Sequence, residues 1–305
     1  MIVTGASVTG AAHVAAGRGC EDAFRAVDTE CGGVVLAVAD GMGSRERAAL
    51  GARLAVDIAC RVLSAGLPDR AAGPEQWTGW TADRGARTVE TFLRAARAVE
   101  DAVAPPGGGE PAGTGDPAGG GASAGSKGPG GGGASAGSTG PAGVEQWAAA
   151  LAVAVVRPPW VAFLSAGDCF GAVLTREAGA AERCHLVLPP PRPDGPPPAF
   201  LTSPGARLRL RTFAVWETEL TGVVLATDGC APAALDHPSS RGLPDEVGPL
   251  PSASFFPPLA ETLRRGDGDA AALRALLSGP AAARTGDDLT VLCALTAAEG
   301  DGPWW

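Results

Sequence analysis

Lysine is almost absent from this 305-residue chain: Lys127 is the only one, and the other cationic side chains are all arginine. With a net charge of −9 at pH 7 there is no basic patch to suggest a nucleic-acid partner, whereas an acidic balance suits a site filled by cations. Histidine is scarce too, limited to His13, His185 and His237. The seven cysteines (Cys20, Cys31, Cys60, Cys169, Cys184, Cys230 and Cys293) stand far apart with no C-x-x-C pair. That spacing argues against a zinc ribbon or a disulfide framework and fits reduced thiols in a cytoplasmic protein. No segment reaches about 18 uninterrupted apolar residues, so no membrane span is expected. The N-terminus has no basic region followed by an apolar one, so no signal peptide is expected either.

What the chain does have is an apolar fraction of 45%, enough for a sizeable core in one large domain or two small ones. Its most telling stretch is Val34-Val35-Leu36-Ala37-Val38-Ala39-Asp40-Gly41-Met42-Gly43-Ser44. The run is short for a helix and lies between Gly32-Gly33 and Asp-Gly, so it reads as a buried strand that delivers one carboxylate into a turn. Gly41 and Gly43 permit positive φ or close backbone approach, which frees the Gly41 carbonyl to coordinate. Taken alone, the same motif also suits an ordinary hairpin Asp-Gly.

The rest of the chain repeats the theme. Residues 1 to 16 suit an edge strand with a turn at Gly10, and Glu21-Asp22 lies between a Gly-rich turn and a short apolar run, where adjacent acids are usually solvated. Ser44 reads as the cap of a helix with Leu50, Leu54, Ile58 and Val62 on one face, stopped by Gly66-Leu67-Pro68. Val89, Phe92, Leu93, Ala96, Val99 and Val103 mark a second helix, with Arg94, Arg97, Glu100 and Asp101 on its solvated face. From 105 to 143 the sequence is nearly all Gly, Ala, Ser and Pro with an imperfect duplication, and it cannot bury enough apolar surface to offset ordering entropy. It reads as a disordered insertion inside one domain spanning 1–299, with 300–305 as a tail. A domain boundary is the alternative, and the spread of acids along the chain argues against it.

Leu151–Val156, Pro158-Pro159 and Trp160–Ala166 form a hairpin pattern ending in Gly167-Asp168, and Gly171–Thr175 continues as a strand. A Pro-rich loop follows at 189–198, then alternation at Leu208, Leu210 and Phe213. Gly222–Thr227 is another apolar strand, ending in Asp228-Gly229. A turn-rich stretch (232–258) leads to one or two short helices over Leu259–Leu277, and Asp287-Asp288 precedes the last strand, Leu289–Leu295. Asp40, Asp168, Asp228 and Asp287 thus all lie at strand ends. Carboxylates crowded there repel one another unless cations neutralise them. With so few histidines the expected ions are hard and oxygen-liganded, Mg2+ or Mn2+. Two such ions about 4 Å apart lower the pKa of a bridging water and neutralise a transferring phosphoryl group, which suits phosphomonoester hydrolysis.

The five blocks Glu21-Asp22, Asp40-Gly41-Met42-Gly43, Ala166-Gly167-Asp168, Ala226-Thr227-Asp228-Gly229 and Asp287-Asp288-Leu289-Thr290 resemble, in that order, the metal-dependent type 2C (PPM) protein serine/threonine phosphatases, and a bacterial branch of them in particular. The resemblance implies an α+β fold, a four-layer α-β-β-α sandwich with two central antiparallel sheets flanked by helices. It also implies a catalytic centre of two Mn2+ or Mg2+ ions. Asp40 would bridge both ions and the Gly41 carbonyl would bind one. Asp228 and Asp287 would complete the other shell, Asp22 with Glu21 would hold its water, and Asp168 would serve a third ion or the sheet turn. The substrate would be a phosphorylated protein, the counterpart of a Ser/Thr kinase in bacterial signalling, with neither nucleic acid nor membrane as partner.

Three positions depart from the family pattern. Gly17 stands where the phosphate-binding arginine is expected, and Arg18 is one place late. Pro232 replaces an acid, so a third ion would be weakly held. Met42 replaces a histidine, which leaves protonation of the leaving group to water or to a residue such as His13. The alternatives kept beside the phosphatase are a pseudophosphatase that acts as a partner-binding module and a small-molecule phosphomonoesterase.

Overall fold

The computed structural model describes residues 1–103, 143–192, 194–279 and 285–296. Apart from Gly143, the tract read as an insertion lies outside the described residues, as does the tail 300–305. The chain runs through β1 (Ile2–Val8), α1 (Ala11–Ala15), β2 (Ala23–Asp28), β3 (Val34–Gly41), α2 (Ala48–Leu63) and α3 (Pro74–Val103). It continues with β4 (Ala149–Arg157), β5 (Trp160–Ala166), β6 (Phe170–Thr175), β7 (Arg183–Leu188), α4 (Ala206–Arg209), β8 (Arg211–Trp216) and β9 (Leu220–Ala226). Last come α5 (Ala231–Ala234), β10 (Leu235–Asp236), β11 (Leu250–Pro251), α6 (Phe256–Arg265), α7 (Ala270–Leu277) and β12 (Leu289–Leu295).

Two five-stranded antiparallel sheets form the centre, ordered β1-β12-β9-β6-β7 and β2-β3-β4-β5-β8, while β10 and β11 make a separate pair. Side chains alternate across a strand. In β3, Val34, Leu36 and Val38 therefore join the core between the sheets, while Val35, Ala37 and Ala39 join the layer formed with α2 and α3. Burial on both faces is why this strand is an unbroken apolar run. On the far side, Phe256, Leu259 and Leu263 of α6 and Leu273 and Leu277 of α7 cover the other sheet. Four layers result, as the resemblance implied. Trp77 and Phe92, which precede the undescribed tract, share one core with Leu151, Trp160 and Leu164, which follow it.

The helices differ from the sequence reading in their ends and faces. Ser44 does not cap α2: the helix begins after Arg47, with no side-chain cap. Its buried face is Gly51, Ala52, Ala55, Val56, Ile58, Ala59, Cys60 and Leu63, while Leu50 is 50% exposed. Small residues let the helix lie close on the sheet, and a Cβ at Gly51 would stand 2.4 Å from the Trp147 carbonyl oxygen. Helix α3 starts fifteen residues before Val89, at Pro74. Its Glu100 is not on a solvated face, since it accepts hydrogen bonds from Arg47 (2.6 Å) and from the Trp147 indole (2.5 Å). Leu208 sits on the short helix α4 and is 90% exposed, so the expected alternation begins only at Arg211.

Register brings the acids to one end of the sandwich. Antiparallel pairing sets Ala23 opposite Ala39, so Asp22 precedes β2 beside Asp40. Pairing of Ala226 with Val291 puts the end of β9 beside the start of β12, and with them Asp228 beside Asp287-Asp288. Asp168 lies in the crossover where the chain leaves β5 in one sheet and enters β6 in the other.

Candidate metal centre

Asp40 shares the parity of Val34, Leu36 and Val38, so it stands at the mouth of the inter-sheet core. One carboxylate oxygen from each of Asp40, Asp168 and Asp228 lies within 4.8 Å of the others. Burial, reinforced by Asp22, Asp228, Asp168 and Asp287, pushes the Asp40 carboxyl up to about 10. Burial pushes Asp168 up to about 6, with Asp228 and Asp287 adding to it. Asp228 is also raised, by burial and then by Asp287, while a hydrogen bond shared with Asp40 pulls it back. Asp168 Oδ1 is buried and has no hydrogen-bond partner among the described residues, nor has Glu21 Oε2. Converging oxygens, mutual repulsion and an orphaned acceptor suit divalent cations.

Glycines make the convergence possible. A Cβ at Gly229 would fall 1.9 Å from the Asp288 carbonyl oxygen and 3.4 Å from the Asp287 Cβ. Gly167 has φ +92°, and a Cβ there would stand 2.4 Å from the Ala150 Cβ. Both turns therefore need glycine to present Asp228 and Asp168.

Asp22 is buried, and its carboxyl is pushed up to about 7 by burial, against the pull of bonds to Thr227 and Thr290. The Thr227 hydroxyl donates to Asp22 Oδ2 (2.7 Å) and accepts from the Thr290 amide (3.0 Å), which orients the acid. Glu21 accepts from Arg18 Nε (3.0 Å) and from Arg18 Nη2. The same Nη2 donates to the Gly43 carbonyl (2.7 Å), so Arg18 clamps the turn after Asp40. Its Nη1 makes no hydrogen bond among the described residues.

Asp287 is exposed, while its neighbour Asp288 is buried. Asp288 accepts from the Gly10 amide (2.7 Å) and the Glu21 amide (2.6 Å), and its Oδ2 lies 2.9 Å from His13 Nδ1. It ties three N-terminal positions to the start of β12. The sequence reading placed Asp287 alone in the site and did not give Asp288, Thr227 or this pairing of His13 a role. The visible signal was the Asp-Asp doublet, because two adjacent acids at a strand start face opposite ways. The thiols beside the acids are suppressed by burial: Cys20 is pushed up to about 12, and Cys169 and Cys230 are raised as well. None offers a thiolate near neutral pH.

A two-sheet sandwich with a carboxylate cluster at one end of its inter-sheet core is the build of a metal-dependent phosphatase. The family model described as Protein phosphatase 2C matches residues 9–278, and the chain belongs to that family of metal-dependent protein serine/threonine phosphatases. Its fold is similar to several solved structures. The Mycobacterium tuberculosis serine/threonine phosphatase PstP/Ppp aligns at 13% identity and TM-score 0.55, covering 97% of this chain and 100% of that one. Stp1 of Staphylococcus aureus aligns at 11% identity and TM-score 0.54, covering 98% and 96%. The S. agalactiae serine/threonine phosphatase aligns at 12% and 0.53, covering 96% and 99%. No curated protein sequence matches. Among the described residues, no helix is long and apolar enough to cross a membrane.

Proposed function

We propose that the chain hydrolyses phosphoserine and phosphothreonine in proteins at a centre of two divalent ions, Mn2+ or Mg2+. Asp40, Asp168 and Asp228 would hold them, with Asp22, Glu21, Asp287 and the Gly41 carbonyl around them. The observation that carries this reading is the meeting of three carboxylate oxygens within 4.8 Å at the end of the inter-sheet core. Bound there, divalent ions supply the positive charge that acidifies water and neutralises phosphoryl oxygens.

The protein's own residues do the rest. Asp40 sits at the centre of the cluster. Thr227 holds the Asp22 carboxylate in a fixed orientation beside the cluster, where it would serve as an acceptor for water. Arg18 holds Glu21 and the Gly43 turn in place, and its Nη1 is left to meet a phosphoryl oxygen. With the thiols kept neutral, attack falls to water, without a covalent enzyme intermediate. Sequence on both sides of 105–143 contributes to a single phosphatase domain in this reading, with the tract as an insertion. The cell context is cytoplasmic signalling opposite a Ser/Thr kinase.

The test compares p-nitrophenyl phosphate, phosphoserine and phosphothreonine peptides, and small phosphorylated metabolites, each with Mn2+, with Mg2+ and with EDTA. Metal-dependent release from the peptides is expected. Turnover confined to small molecules would move the assignment to a phosphomonoesterase, and no turnover with either metal would leave a pseudophosphatase.

A further inference from the structure

A cavity of about 600 Å3 opens between the loop after β7 and the segment that joins β10 to β11. Ala231 and Leu235 line its base, and the walls are largely proline: Pro190 and Pro191 on one side, Pro238 and Pro249 on the other. Two bonds hold the first wall. Arg211 Nη1 donates to the Pro189 carbonyl (2.9 Å), and its Nη2 donates to Ser165 Oγ (3.0 Å) on β5. Arg192 Nη2 donates to the Glu246 carbonyl and so fastens the two walls together. Walls of this kind need little ordering when a chain binds between them.

The rim is acidic. Asp194, Asp245 and Glu246 are exposed on it, and Asp236 is already paired with Arg241 (3.0 Å). Among the described residues no cationic side chain pairs with the Asp194 or Glu246 carboxylate, and Asp245 has only the His237 ring as an ion-pair partner, at 3.9 Å. Ala231 follows Asp228 by three residues through a tight helical turn, an advance of about 6 Å. An extended peptide advances about 3.3 Å per residue. The base of the cavity thus lies one short helical turn along the chain from Asp228, within reach of residues that flank a phosphorylated side chain held at the carboxylate cluster.

We propose that this cavity docks the residues flanking the phosphorylated side chain and selects phosphosites with a lysine or arginine beside an apolar residue at those positions. The apolar base takes the apolar side chain and the stem of the basic one, whose head meets Asp194, Asp245 and Glu246. The inference rests on the phosphatase reading above.

The test measures kcat/KM with Mn2+ for phosphothreonine peptides that differ only in carrying arginine, alanine or glutamate at the flanking positions. Exposed ion pairs at such a rim shift binding modestly, so arginine peptides are expected to exceed glutamate peptides by about fivefold to tenfold, less at high salt. The double variant Asp245→Lys/Glu246→Lys reverses that order and leaves p-nitrophenyl phosphate turnover unchanged. Asp194→Asn, on the opposite wall, narrows the preference without reversing it. Turnover of every peptide at one rate by wild type and variants would overturn the docking inference alone. Absence of all metal-dependent turnover, p-nitrophenyl phosphate included, would overturn the phosphatase reading and this inference with it.

Discussion

Replacing Asp40 by asparagine is expected to make the metal-free protein more stable and the metal-loaded protein inert. Two unit charges 4.8 Å apart, the separation limit within the Asp40, Asp168 and Asp228 group, repel by about 3.5 kcal/mol at an effective dielectric of 20. A proton retained on Asp40, whose carboxyl is pushed up to about 10, relieves most of this at pH 8. The cost that remains is that of taking up a proton the unfolded chain has given away. The gain left for Asp40→Asn at pH 8 is about 1–3 kcal/mol. For a domain of this size that is a rise in Tm of about 2–12 °C in EDTA. In the wild type, Mn2+ at a hundredfold over its Kd adds about 2.7 kcal/mol. The variant should show almost none of that increment. Scanning fluorimetry with EDTA and with Mn2+ reads both quantities on one sample. A lower Tm in EDTA together with an unchanged Mn2+ increment would refute the reasoning, because Asp40 would then be an ordinary turn residue.

Other expectations rest on separate parts of the fold. Carboxyls raised in the folded state give stability that is full below the unfolded value of about 4 and is lost as pH rises through the folded values. For Asp168 and Asp22 those are about 6 and about 7, so the Mn2+ increment in Tm should grow from pH 5 to pH 8; a flat increment contradicts this. Gly229→Ala forces a Cβ to 1.9 Å from a backbone carbonyl, and a loss of about 3 kcal/mol with loss of activity is expected in urea melts and phosphate release. Thr227→Val strips the hydrogen bond from Asp22, and a fall of about tenfold in kcat/KM with a smaller change in Tm is expected from kinetics and melting. At the opposite end of β9, Arg264 and Glu182 are 9% and 7% exposed and joined at 2.7 Å and 3.1 Å. Arg264→Met should cost about 3–5 kcal/mol in denaturant titrations and leave kcat unaltered at low temperature.

The strands were the most legible part of the sequence. β3, β4, β5 and β12 are buried on both faces, which writes them as continuous apolar runs, and β12 begins and ends where that run does. Helix faces were harder to read. In α2 the buried residues are mostly small, and the eye follows Leu50 to the wrong side. The first half of α3 carries Gly79, Gly85, Thr81 and Thr88, a weak helical signal, and Gly85 is there because Leu164, Leu210 and Thr212 crowd it. Such pressure comes from residues far along the chain and leaves no local pattern.

The site divides in the same way. Strand-end acids are visible because the motif is local: an apolar run, then Asp with Gly. Thr227 and Asp288 could not be assigned from their neighbours, since their partners are Asp22, Gly10 and Glu21, more than two hundred residues away. The same holds for Arg18. Its place one residue late in the family pattern put phosphate binding in question, and the structure adds a second use for it, on Glu21 and the Gly43 turn.

The claim at the centre of this account is that the cluster around Asp40 is where metal and phosphate chemistry meet. Phosphate release from a phosphothreonine peptide, followed as Mn2+ is titrated into metal-free wild type and Asp40→Asn, tests it most directly. Release is expected to saturate with Mn2+ in the wild type and to be nearly abolished in the variant. Release that proceeds without metal, or that survives Asp40→Asn, would contradict it.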